Sequence, residues 1–219
     1  MSLIDLITGN TGNQVAEQTG NKFGISKNQV IALLAVATPL IISHLRNKSK
    51  DSKEAEALNN ALDKDHTGSI LNDASQAEAR QAEGGSILDH IFGGQRSDVE
   101  SQLSQNTGIS ADKIGPALGM LAPVVMGYIG QQKQQNNVGA SGLGDLLGGI
   151  LGNASNQAQD QESHPINDIL RNVMGGSTQS SGNPLTDILG SVLGGGGSGN
   201  GQQGGSGLGG FLGNIFGGK

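Results

Sequence analysis

VIALLAVATPLIISHL, residues 30 to 45, decides the fold of this chain. Its apolar residues surround the whole helical circumference instead of forming one stripe, the pattern of a helix enclosed by others at the centre of a bundle. The run is 16 residues long and includes Thr38, Pro39, Ser43 and His44, so a buried helix is a better reading than a membrane span. Pro39 predicts a kink or a break, because proline lacks the N–H that would bond four residues back and its ring presses on that carbonyl. Ala35 stands at that earlier position and is small enough to leave room for a bend.

The same design recurs further along. Residues 2 to 46 align without a gap on residues 86 to 130, an offset of 84, with 11 of 45 positions identical, among them Asp5/Asp89, Gly24/Gly108, Ser26/Ser110 and Pro39/Pro123. Such self-similarity marks two units of one plan. Each unit has a short helix (SLIDLITG, SILDHIFG), a polar helical segment, a turn at Gly24 or Gly108, and a restart at GIS with Ser26 or Ser110 as N-cap. The second long helix reads IGPALGMLAPVVMGYI, with Gly119 four residues before Pro123. Gly115-Pro116 has no counterpart in the first unit, which predicts a later start or a second bend.

Between the units, KEAEALNNALDKD is amphipathic, with Ala57, Leu58, Ala61 and Leu62 on one side. SILNDASQAEARQAEGG is expected to be a further helix closed by Gly84-Gly85. No stretch sustains the period-two alternation of a strand. The expected fold is all-α: one helical domain over residues 1–133, built from units at about 2–46 and 86–130 and linked by helices in 52–83.

DKDHTGSILNDA, residues 63 to 74, resembles a calcium loop, but its twelfth position is Ala74 where a bidentate Glu is required. The serine of GSIL and its relatives (Ser2, Ser69, Ser86) is followed three residues on by Asp5, Asn72 or Asp89, which reads as a capping-box-like helix start in all three places. A solvated turn between helices is therefore preferred over a calcium site.

The final third has a different composition. Of 38 glycines in 219 residues, 24 lie in residues 138–219, and residues 134–219 read as a Gly/Gln/Asn/Ser-rich tail that cannot offset its ordering entropy by burial. Four short apolar motifs punctuate it: GLGDLLGGILGN (142–153), PINDILRNVMGG (165–176), PLTDILGSVLGG (184–195) and GLGGFLGNIFGG (207–218). Each resembles SILDHIFGG of the folded part, and a helix of this length is marginal alone in water. If the folded part seats such segments in grooves, tail copies can seat in equivalent grooves, with Leu146, Leu147, Ile169, Leu170, Ile188, Leu189, Phe211 and Leu212 as contact residues.

Composition excludes several functions. A net charge of -6, no Lys/Arg-rich block, no Trp and one Tyr argue against a nucleic-acid partner. With no Cys there is no thiolate site, and the four dispersed histidines, His44, His66, His90 and His164, form no i, i+4 metal pair. Membrane contact is disfavoured because Arg171 and Lys219 are the only cations after residue 137. MSLIDLITGN lacks the features of a secretory signal, so a cytoplasmic location is expected.

The helical N-terminal region, the glycine-leucine segments of LxxLLGxLxG type, and the GIS restart before a long proline-containing apolar helix together resemble the YidB-like bacterial family, of uncharacterised function. The resemblance covers mainly residues 1 to 133 and implies an all-helical fold with no active site to carry over. The expected function is therefore non-catalytic: protein interaction or self-assembly, with a homo-oligomer or another protein as partner and no cofactor. A calcium- or membrane-responsive accessory protein is the alternative.

Overall fold

A computed structural model describes residues 1–160, with side chains placed through residue 154. Among the described residues nine α-helices follow in order: α1 (Leu3–Thr8), α2 (Asn10–Phe23), α3 (Lys27–Lys48), α4 (Ser52–Lys64), α5 (Gln76–Ala79), α6 (Gln81–Phe92), α7 (Arg96–Thr107), α8 (Ala111–Gln135) and α9 (Leu143–Asp160). Among the described residues there is no strand. The protein is all-α.

The two long apolar runs are α3 and α8, and nearly every residue from Leu33 to Ile42 and from Ala117 to Gly130 is buried. Both helices continue through their prolines, Pro39 in α3 and Pro116 and Pro123 in α8, so none of the three breaks its helix. Packing on all sides holds these helices together where an isolated helix would lose a bond and open. Pro116 does not delay α8, which begins five residues earlier at Ala111.

Positions matched at the offset of 84 can be compared at the two turns. Gly24 and Gly108 both end a helix in the left-handed conformation (φ +62° and +66°), a conformation that glycine adopts without the Cβ penalty. In the first unit Ser26 then caps α3 through a capping box with Gln29. In the second unit Ser110 takes the N-cap position but makes no side-chain cap bond: the Lys113 N–H donates to the Ser110 carbonyl at 2.9 Å, and a lysine has no acceptor to close the box in return.

The residues at 29 and 113 have another task. Gln29 Nε2 donates to the carbonyl of Gly108 at 3.0 Å, and Lys113 Nζ donates to the carbonyl of Gly24 at 3.2 Å. These are the same two positions of the plan, used reciprocally: each unit binds the turn of the other. Reciprocity of this kind is the mark of a two-fold relation, here between halves of one chain. The helices agree, since α2 packs on α3 and on α8 while α7 packs on α8 and on α3.

The connecting segment departs from its sequence reading. Residues 69–85 form a 3-10 turn at Ser69–Leu71, the one-turn α5, and the start of α6, instead of one helix. Asp73 accepts from both the backbone N–H and the hydroxyl of Ser75 at 3.1 and 2.6 Å, a local alternative to helical bonding that interrupts the run. Gly84-Gly85 does not stop a helix either; α6 runs straight through it. A Cβ on Gly84 would stand 1.8 Å from the Gly119 carbonyl oxygen and 2.8 Å from Pro123 Cδ, so glycine is there to let α6 approach α8. Pro123 offers no N–H to that carbonyl, and the Gly84 backbone lies against it instead.

Of the three serines read as helix starts, Ser2 caps α1, with Asp5 closing the box in return. That bonding to Ser2 holds the Asp5 carboxyl below its ordinary value. Ser69 opens only the 3-10 turn, and Ser86 lies inside α6, where its hydroxyl bonds back to Ala82.

The helical body also extends past residue 133. α9, the first tail motif, packs along α3 and against α1, α4 and α8. Gly144 lies beside Ser49 and Gly148 beside Arg46, so α9 runs antiparallel to α3.

Candidate functional site

Two surfaces bear on function: the seat filled by α9, and an open groove. The seat is built from the motif GLGDLLGGILGN itself. Leu143, Leu147, Ile150 and Ala154 fall at helical spacing on one face of α9 and are all buried. Leu146 and Leu151 are partly buried and pack on the same core. Gly144 and Gly148 keep the rest of that face low, so the helix lies close over Ser49 and the Arg46 side chain. Of the eight contact residues expected from sequence, the structure thus places Leu147 wholly inside the body and Leu146 at its edge, in the chain's own fold. Ile169, Leu170, Ile188, Leu189, Phe211 and Leu212 lie outside the described residues.

The groove runs between α4 and α6, over α8 and the end of α3, with a volume of about 300 Å³. Its walls are apolar: Leu45, Leu58, Ile87, Ile91 and Met126, with Ala57 and Ala61 of α4 keeping one side shallow. Leu62 of the amphipathic α4 is wholly buried, while Ala57, Leu58 and Ala61 of the same helix line the groove. Sequence reasoning placed all four on one side and could not separate them.

Charged side chains rim the groove. Glu54 Oε2 lies 3.2 Å from His90 Nε2 and 3.6 Å from Lys48 Nζ, which ties α4 to α6 and to α3. At the other end His66, only 4% exposed, places Nε2 3.3 Å from Glu83 Oε1. Glu83 also takes a two-pronged bond from Arg80, whose second nitrogen reaches the Asp65 carbonyl at 2.7 Å. Burial first, and the Arg80 charge second, hold the His66 imidazole below its ordinary value of 6.5, against the opposing pull of Glu83 and Asp65. His66 is therefore held toward its neutral form.

The acidic loop beside it is committed to the fold. Asp63 pairs with Lys133 of α8, a buried ammonium, and the His66 carbonyl lies where a Cβ on Gly130 would come within 1.8 Å. Thr11 of α2 reaches the Leu71 carbonyl at 2.8 Å. Among the described residues no three His, Asp or Glu side chains converge as a metal cage would.

His44 and His66 have separate surroundings. His44 stands edge-on to Phe92 with ring centroids 5.0 Å apart, and burial lowers its pKa from the ordinary 6.5. At the matching position of the second unit stands Tyr128, whose phenol burial pushes up to about 12. Both positions thus hold a neutral ring near pH 7.

The family described as bacterial protein of unknown function (DUF937) matches residues 5–132. The chain belongs to this family. YidB is also a member of DUF937, and the match runs from α1 almost to the end of α8, which takes in both units and the groove. The DUF937 match ends before Leu143, so α9 and the tail motifs lie beyond it. No curated protein and no solved structure matches the chain.

α3 and α8 are also long and apolar enough to cross a membrane by length and composition. In the fold 67% and 89% of their most apolar stretches are buried against other helices.

Proposed function

We propose that this chain is a non-catalytic, cytoplasmic interaction protein that self-associates, its tail motifs docking in helical grooves of the body. One observation carries the reading: α9, a tail motif by sequence, is seated on α3 with Leu143, Leu147 and Ile150 buried. The three remaining motifs keep apolar residues at the same three positions. They are Ile166, Leu170 and Val173; Leu185, Leu189 and Val192; and Leu208, Leu212 and Ile215. An amphipathic segment laying such a face in a groove is a common mode of recognition, and several copies on one tether raise the effective concentration of each.

Sedimentation velocity over a concentration series, on the full chain and on a chain ending at Asp160, tests it. The full chain should sediment faster as concentration rises and the shorter one should not. Identical monomers throughout would overturn the proposal.

A further inference from the structure

The seat on α3 holds one tail motif, and a second motif of the chain follows the same pattern of burial. At an offset of 65, residues 207–218, GLGGFLGNIFGG, align on residues 142–153, GLGDLLGGILGN. The three buried residues of that stretch, Leu143, Leu147 and Ile150, recur as Leu208, Leu212 and Ile215. The glycines that approach the body, Gly144 beside Ser49 and Gly148 beside Arg46, recur as Gly209 and Gly213. Five of the twelve positions differ, at Asp145, Leu146, Gly149, Leu151 and Asn153, and every one of them is exposed or half-buried. Ala154, the next buried residue, corresponds to Lys219, whose methylene stem can cover the same spot with its ammonium in water.

The other two motifs fit the seat less well. In 165–176 Asn167 and Arg171 replace both contact glycines. A Cβ at the second of these places meets the Arg46 guanidinium at 3.1 to 3.3 Å, and Arg171 would bring a like charge there. In 184–195 Thr186 replaces the first, adding two further atoms to a Cβ that would already touch Ser49 Oγ at 3.4 Å.

α9 itself is loosely built. A Cβ on Gly149 or Gly152 would meet nothing within 4 Å, so packing does not require these glycines, and each costs about a fivefold loss of helix population relative to alanine. Resting on the reading that tail motifs dock in helical grooves of the body, we infer that residues 207–218 of the same chain are a second cover for the α3 seat and exchange with α9 in it. Tether length sets the balance. α9 is joined to α8 through residues 136–142, and a tether roughly ten times longer lowers the chance of closure about thirtyfold. Phe211 and Phe216, at the places of Leu146 and Leu151, recover part of this through larger apolar contact. α9 is therefore the usual cover. The same chain is the source of the other, because a flexible tether holds its end at an effective concentration of about a millimolar, above that of other chains in dilute solution. Each exchange bares the apolar face of α9, so the seat governs when that motif is free to dock elsewhere.

The chain has no cysteine, so an introduced disulfide reports which motif reaches the seat. In the full chain, Ser49→Cys is combined in turn with Asn167→Cys, Thr186→Cys or Gly209→Cys, the three places that match Gly144. Loop length alone makes the first pair close fastest and the last slowest. Exchange reverses this order: in dilute solution the Gly209→Cys chain should close on itself about tenfold faster than either of the others, the scale of one apolar anchor. Adding Leu212→Asp, which leaves residues 1–160 untouched, should remove that advantage. A Gly209→Cys chain that closes no faster than the others, is indifferent to Leu212→Asp, or forms its disulfide only between chains would overturn the exchange, and a sample that still associates in sedimentation would leave the docking reading standing. Closure as expected in a chain that stays monomeric at every concentration would support the exchange and overturn self-association.

Discussion

The two units share a plan and differ in how their long helices are covered. At α3 the side chains stay on the central helix and its cap and the covering helix is trimmed: Arg46 faces Gly148 of α9, and the cap residue Ser49 faces Gly144. On α8 the trimming is on the central helix. Gly127 and Gly130 admit Ile70 and the backbone at His66, and Lys133, the counterpart of Ser49, pairs with Asp63. One plan thus accepts two different covers, provided that glycine stands on one side of each contact. A helix pair needs close approach somewhere, and either partner can supply it.

That contrast can be broken most severely at Gly130. A Cβ there would meet the His66 carbonyl at 1.8 Å, so Gly130→Ala should cost about 3 kcal/mol or more through overpacking against backbone. Arg46→Ala, at the matching position of the first unit, should cost about 0.5 kcal/mol, as an exposed substitution does. Paired chemical denaturation curves check both. Equal losses would show that the two covers are not distinct.

Next in size is Leu147→Ala in the seat of α9, expected to cost about 2 to 4 kcal/mol, with a cavity left on α3. Hydrogen exchange should show α9 losing protection ahead of α8. Simultaneous loss in both helices would mean that α9 is integral to the body and not a cover on it.

A smaller effect separates the units by pH. Burial holds His44 below its ordinary value, so the folded state binds fewer protons than the unfolded one between its folded value and 6.5. Stability is therefore full above 6.5 and falls as pH drops through that window. His66 adds an effect of the same sign. Tyr128 does not titrate until about 12, so His44→Tyr, which makes the first unit like the second, should flatten the acid side of a melting temperature against pH profile. An unchanged profile would place the sensitivity on His66 or on carboxylates.

Smallest is the cross-unit pair. Gln29→Ala and Lys113→Ala should each cost about 0.5 to 1 kcal/mol, the scale of single exposed hydrogen bonds. A double-mutant cycle should find them nearly additive, since they lie at separate turns and share no partner. A large coupling energy would point to a shared rearrangement of both turns.

Much of this architecture was legible in the letters. The turn glycines and the encircling apolar runs are local features, and both stand in the helices as read. What sequence misread were residues with two physical uses. Gly84-Gly85 reads as a helix stop because glycine often ends helices, yet here its missing side chain serves an approach to Gly119 that only the packed pair reveals. Pro39 reads as a kink or a break, and burial on every side keeps α3 continuous through it, so there is no break.

The site was less legible. The kinship of GLGDLLGGILGN to SILDHIFGG was visible, but its seating at α3 depends on the glycines facing Arg46 and Ser49, which only the docked pair brings together. The groove was wholly missed, because Ala57, Ile87 and Met126 are ordinary bundle residues until three helices meet. The one available signal was the offset itself: counterparts of Leu3 and Leu6 include a histidine, a weak partner for a fully covered core position.

The exchanged bonds at Gly24 and Gly108 carry a last implication. Since each bend is met by a side chain from the other half, and α2 packs on α8 while α7 packs on α3, neither half should hold its shape without its sibling. Fragments divided in the connecting segment, after residue 74, should remain largely unstructured apart and regain helicity when combined, so the pair would serve as a split reporter whose folding signals that its pieces have met.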